Sequence, residues 1–222
     1  MQPCSIVFPT LPVFVLFIKL SVMPLNDKEK PILPLDACYF LTFNTVDKID
    51  VFVRPAYKQV ITDALNYFVQ SQGLVIYSWC LMSSHLHLAI RPREGMPPAY
   101  FERDFKKFTT PAILKAIEME MDFRREWMMQ RFEDYGRPLK RIEKFHLWQN
   151  CSSPLRIDCQ QPRLLLDRIA HIHENPVREK IVEHPEAYVF SSARDYAGMP
   201  GLVTVKVVRQ QGLFGVKMVS AN

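Results

Sequence analysis

His85-Leu86-His87 is the first place in the chain where residue type and spacing could do chemistry. On a β-strand, side chains at i and i+2 share a face, so both imidazoles can reach one metal ion while Leu86 turns into a core. Neutral imidazole is a favoured ligand for divalent metals. Spacing alone leaves two readings open: two surface histidines, or a ligand pair. His171-Ile172-His173 has the same lettering but falls in an apolar pattern of helical period. There i and i+2 point roughly 200° apart, so those two cannot share an ion. Five cysteines (Cys4, Cys38, Cys80, Cys151, Cys159) form no CxxC pair and are odd in number. They suggest neither a disulfide framework nor a zinc knuckle, and a reducing cytoplasm fits them. Cys38 and Cys80 read as small core residues of strands.

A second kind of chemistry lies in the charges. Lys106 and Lys107 sit beside Phe105 and Phe108, while Arg124, Arg125, Arg131, Arg137, Lys140, Arg141 and Lys144 crowd one segment. Trp127, Phe132, Tyr135 and Trp148 interleave with that segment. Such a mixture suits phosphate neutralisation with stacking on unpaired bases. It equally suits a solvated helix face over a small aromatic core. The formal net charge of +5 favours a polyanionic partner.

Elements must position these groups. With 222 residues, 48% hydrophobic and 12% aromatic, the chain fits one folded domain with short extensions. Residues 38–45 read as a strand, and 55–72 as a helix with Val60, Ile61, Leu65, Phe68 and Val69 at helical spacing, closed by Gly73. Runs 74–81 and 85–91, joined by Met82-Ser83-Ser84, read as a hairpin. A loop covers 92–98 and a helix runs from about 99 to 120. The stretch 123–145 is basic and irregular. A last helix runs from Pro162 to about Glu174, broken by Asn175-Pro176. This order predicts an α+β fold, an antiparallel sheet with helices packed on one face.

The chain divides on this reading into an N-terminal extension (1–30), a main domain (31–208) and a tail (209–222). Residues 6–22 are apolar but interrupted by Pro9, Pro12 and Lys19, and no basic region precedes them. The stretch is too short and broken for a spanning helix and unlike a signal peptide. Met23 reads as the natural start and the upstream segment as a gene-model extension, with a membrane anchor as the alternative. No membrane partner is expected.

Six stretches occur in one order: YFLTFNTVDKIDVF at 39–52, GLVIYSWCLMSSHLHLAIRPREG at 73–95, DFKKFT at 104–109, LW at 147–148, HIHENPVREKIVEHPEAY at 171–188 and SSARDYAG at 191–198. Together they resemble the HUH single-tyrosine transposases, in particular the branch related to REP-associated tyrosine transposases. The resemblance implies a ferredoxin-like HUH transposase fold that cleaves and rejoins single-stranded DNA, often beside a hairpin, with a possible homodimer. It places His85 and His87 on the HUH pair that binds Mg²⁺ or Mn²⁺. The family's helix motif, tyrosine–Ile–x–x–Asn–Pro–Val, aligns with 171–177, so Asn175 falls on the third ligand. Charge, not the resemblance, makes Lys106, Lys107, Arg124, Arg125, Lys140 and Arg141 the candidates for DNA contact.

This chain departs from the pattern at the nucleophile, where His171 stands in place of tyrosine. Cys151-Ser152-Ser153-Pro154 also replaces an acidic–Asn–His–Pro run. Three outcomes are open at His171: DNA binding without cleavage, rescue by Tyr188 or Tyr196, or a phosphohistidine mechanism. The first makes the chain a non-catalytic, domesticated binder of single-stranded or hairpin DNA.

Overall fold

Alternating apolar residues in β1 (Ala37–Asn44) place Tyr39, Leu41 and Phe43 on one side of the strand and Cys38, Phe40 and Thr42 on the other. The computed structural model describes residues 37–137, 145–150, 154–158 and 162–208. All belong to the second of two units into which the chain divides, Pro31–Asn222. The N-terminal extension, the proposed start at Met23, the tail, Lys140, Arg141 and the altered run 151–153 lie outside the described residues.

After β1 come α1 (Pro55–Gln72), β2 (Val75–Leu81), β3 (His85–Arg91), α2 (Pro98–Met119), α3 (Arg125–Gly136), β4 (Leu155–Asp158), α4 (Pro162–Arg178) and the short α5 (Ala193–Tyr196). The strands form one antiparallel sheet in the order β2-β3-β1-β4. Helix α1 ends where expected because Gly73 adopts φ 66°, a left-handed conformation that releases the chain into β2. The fold is α+β, as the element order predicts, with the hairpin and its His85 start in place.

Helices cover both faces of the sheet, not one. Helices α1 and α2 lie on the side of Tyr39, Leu41, Phe43, Leu86, Leu88 and Ile90. There Phe43, Phe68, Phe101, Phe105 and Trp148 form a continuous aromatic core. Helix α4 covers the opposite face, packing Leu165, Ile169 and Ile172 against Cys38, Cys80, Ala89 and Ile157. The expectation of one covered face failed because α4 is amphipathic and must bury its stripe against something apolar.

Three local readings are also corrected. Residues 125–136 form a helix within the stretch read as irregular, burying Met128 and Phe132. Helix α4 passes through Pro176 to Arg178 instead of stopping at Asn175. Proline lacks the N–H that would reach the Ile172 carbonyl, and the Asn175 side-chain amide donates to it instead (3.3 Å) as well as to the His171 carbonyl (2.9 Å). Finally, Cys38 is disulfide-bonded and not a free core thiol. Cys80 is free and buried as expected, its thiol pushed up to about 12 by burial.

Candidate functional site

His85 and His87 project from an inner strand onto the face covered by α4, while Leu86 and Leu88 enter the opposite core. Their rings meet edge to face with centroids 4.8 Å apart. Antiparallel register sets Thr42 of β1 directly across from His87, and Thr42 Oγ1 lies 2.8 Å from His87 Nδ1. Ser84 Oγ lies 3.3 Å from His85 Nδ1. The tautomers in which each Nδ1–H donates to its hydroxyl leave both Nε2 lone pairs available.

Burial disfavours the charged form of both rings. Burial, followed by His85 and His171, pushes His87 down to about 3. Burial also lowers His85, against the opposing pull of Glu179. A neutral imidazole is the form that can hold a metal.

His171 comes to this pair from α4. Its ring centroid lies 6.2 Å from that of His87 and 6.4 Å from that of Phe40. Phe40 stacks on His87 at 5.6 Å and has the Arg168 guanidinium over its ring at 5.7 Å. On the other side of His171, Arg178 Nη1 donates to Nδ1 at 3.0 Å. A guanidinium has no acceptor, so the neutral His171 ring accepts at Nδ1 and carries its proton on Nε2. Burial, then Arg178 and Arg168, lowers its affinity for a second proton.

Asn175, one turn beyond His171, has its amide nitrogen tied to the helix backbone, and its Oδ1 accepts no hydrogen bond from the described residues. His173 points elsewhere, as the helical spacing requires: its Nε2 lies 2.8 Å from Ser192 Oγ, and burial pushes it down to about 4. Among the described residues, no group of three or more His, Cys, Asp or Glu side chains is placed to share a metal ion.

The other phenols named as substitutes for a nucleophile are committed to the sheet. Tyr188 Oη donates to the Leu81 carbonyl (2.8 Å) and Tyr196 Oη to the Tyr77 carbonyl (2.9 Å). Burial raises both phenols further from the phenolate form.

The cationic candidates have diverse surroundings. Lys106 pairs with Glu102 (2.8 Å) and donates to the Gln149 carbonyl (2.9 Å). Arg124 is held by Asp122 and the Asp50 carbonyl, and Arg125 reaches the Glu118 carbonyl at 3.4 Å. Lys107 is exposed. Of the interleaved aromatics, Phe132 and Trp148 are core residues, and Trp127 is 53% exposed. Phe40, Thr42, Arg168, Arg178 and Glu179 were missed as members of the site. Register brings Phe40 and Thr42 there, the continuation of α4 brings Arg178 with Glu179 just after it, and Arg168 joins from within the expected helix by packing over Phe40.

No family model matches this chain, and no protein of curated function matches it. Among solved structures, a REP-associated tyrosine transposase bound to a REP hairpin superimposes with a TM-score of 0.51, at 17% identity. The match covers 88% of this chain and 100% of the other. The likeness is one of fold, an HUH transposase-like arrangement of sheet and helices. No helix among the described residues is long and apolar enough to cross a membrane.

Proposed function

We propose that the chain is a DNA-binding protein of the HUH transposase type that recognises single-stranded or hairpin DNA, with cleavage impaired by His171. The observation that carries this reading is the meeting of His85, His87 and His171, from β3 and α4, as one cluster of imidazoles in an HUH-like fold. The similar structure has a hairpin as its ligand, which supports DNA as the partner class here.

The donor types suit a divalent ion. His85 and His87 offer neutral nitrogens from one strand face, and Asn175 offers an amide oxygen with no donor of its own among the described residues. Mg²⁺ or Mn²⁺ bound there would supply Lewis-acid polarisation of a phosphate. The chain's own part is to hold that ion, exclude water behind Phe40 and orient the strand. Attack is the missing element. A nucleophile must present an unshared pair, yet the Nδ1 pair of His171 is engaged by Arg178 and its Nε2 bears the proton. With Tyr188 and Tyr196 bonded to β2 carbonyls, binding without cleavage is the best supported of the three outcomes.

The test is fluorescence anisotropy with a labelled oligonucleotide carrying a hairpin and a single-stranded flank, against a fully paired duplex of the same sequence. Tighter binding of the hairpin-flanked strand, weakening as salt rises, is expected. Equal or tighter binding of the duplex, or no binding, would overturn the reading.

A further inference from the structure

Helix α4 carries two exposed arginines on the same side as the half-buried His171. From Arg168, the positions 171, 175 and 178 all fall within about 80° of helical arc, clear of the buried Leu165–Ile169–Ile172 stripe. Arg168 and Arg178 are exposed, and neither forms an ion pair with any described carboxylate. That contrasts with Arg54, Arg124 and Arg131, each of which is paired to an aspartate. Both guanidinia are nonetheless positioned: Arg168 over the Phe40 ring, and Arg178 by its bond to His171 Nδ1.

The arrangement has a chemical direction. Arg178 fixes the tautomer of His171, so Nε2–H is a donor. Two guanidinia and one imidazole N–H then present only donors, with positive charge and no acceptor. Planar guanidinium is suited to a phosphodiester, whose oxygens accept in pairs. We infer that Arg168, His171 and Arg178 form a grip for a backbone phosphate of single-stranded DNA, which His171 holds as a hydrogen-bond donor instead of attacking. Phe40 is the positioning ring of the grip, ordering Arg168 and bordering His171 and His87 together. The inference rests on the DNA-binding reading above and names the residues that make the contact.

The experiment compares the unmodified chain with Arg168→Gln, Arg178→Gln and the double variant. Each is titrated into a labelled single-stranded oligonucleotide over a range of salt concentrations. Both arginines are exposed, so the variants should fold, which circular dichroism melting checks. Each released phosphate contact should flatten the slope of log affinity against log salt by about 0.7, and the double variant by roughly twice that. Variants that bind with unchanged slopes overturn the grip and leave the DNA-binding reading standing. Failure of the unmodified chain to bind the oligonucleotide overturns that reading and the grip with it. A ¹⁵N histidine spectrum supplies an independent outcome: Nε2–H at His171 is expected, and Nδ1–H would overturn the assigned role of Arg178.

Discussion

The two faces of the sheet are built from the same strands and do opposite things. In β3, Leu86, Leu88 and Ile90 go to the α1–α2 side, where they join the buried core around Phe43 and Phe105. His85 and His87 go to the α4 side, where a hydroxyl, an aromatic ring, a third imidazole and two arginines gather. The period of two in a strand separates packing from chemistry with one residue of offset. The first face fixes where β3 lies; the second uses that position.

Three measurements can break or sharpen this contrast, beginning with the packed face. Phe43 is fully buried and its ring meets Phe101, Phe105 and Trp148. Phe43→Ala should cost about 3–5 kcal/mol in urea unfolding, from lost transfer energy and a residual cavity. A cost under about 1 kcal/mol would show that this face does not carry the fold.

On the other face, metal should matter more than packing. Mn²⁺ at roughly 100 times its dissociation constant should raise unfolding free energy by about 2.7 kcal/mol. Replacing His85 and His87 together with alanine should remove that gain. Identical melting of the unmodified chain with and without Mn²⁺ would count against the ligand assignment.

A smaller effect comes from His173, which lies behind the site. Its folded value is lowered to about 4 by burial, so the unfolded chain binds the extra proton more readily. Its contribution is fully present above the ordinary histidine value and is lost as pH falls from about 6.5 towards 4, by about 1.4 kcal/mol per unit. Denaturant titrations across that window should show a shallower pH slope for His173→Gln than for the parent. Equal slopes would mean that His173 already titrates normally in the folded chain.

How far the site was legible follows from how local its determinants are. The spacing of His85 and His87, the Gly73 stop and the hairpin were readable because strand period and turn chemistry are local. Strand β4 was not, since four residues of sequence LRID carry little periodicity of their own. Helix α3 was hidden because its charged surface outweighs the two buried anchors Met128 and Phe132. Pro176 led to an early helix end, because the repair of the open Ile172 carbonyl by the Asn175 side chain is a three-dimensional fact. That error also hid Arg178, which lies past the expected break. Thr42 and Phe40 depend on β1–β3 register, a long-range pairing.

The central claim is that position 171 decides whether this site holds DNA or cuts it. Its most direct test incubates a labelled hairpin-flanked single strand with Mn²⁺ and either the parent chain or His171→Tyr, then resolves the mixtures on a denaturing gel. Position 171 is half-buried beside Phe40 and His87 but lies off the Leu165–Ile169–Ile172 stripe of α4, so the substitution should cost little packing. The account predicts a covalent protein–DNA band from His171→Tyr and none from the parent. A covalent band from the parent would contradict it, as would the absence of a band from both proteins.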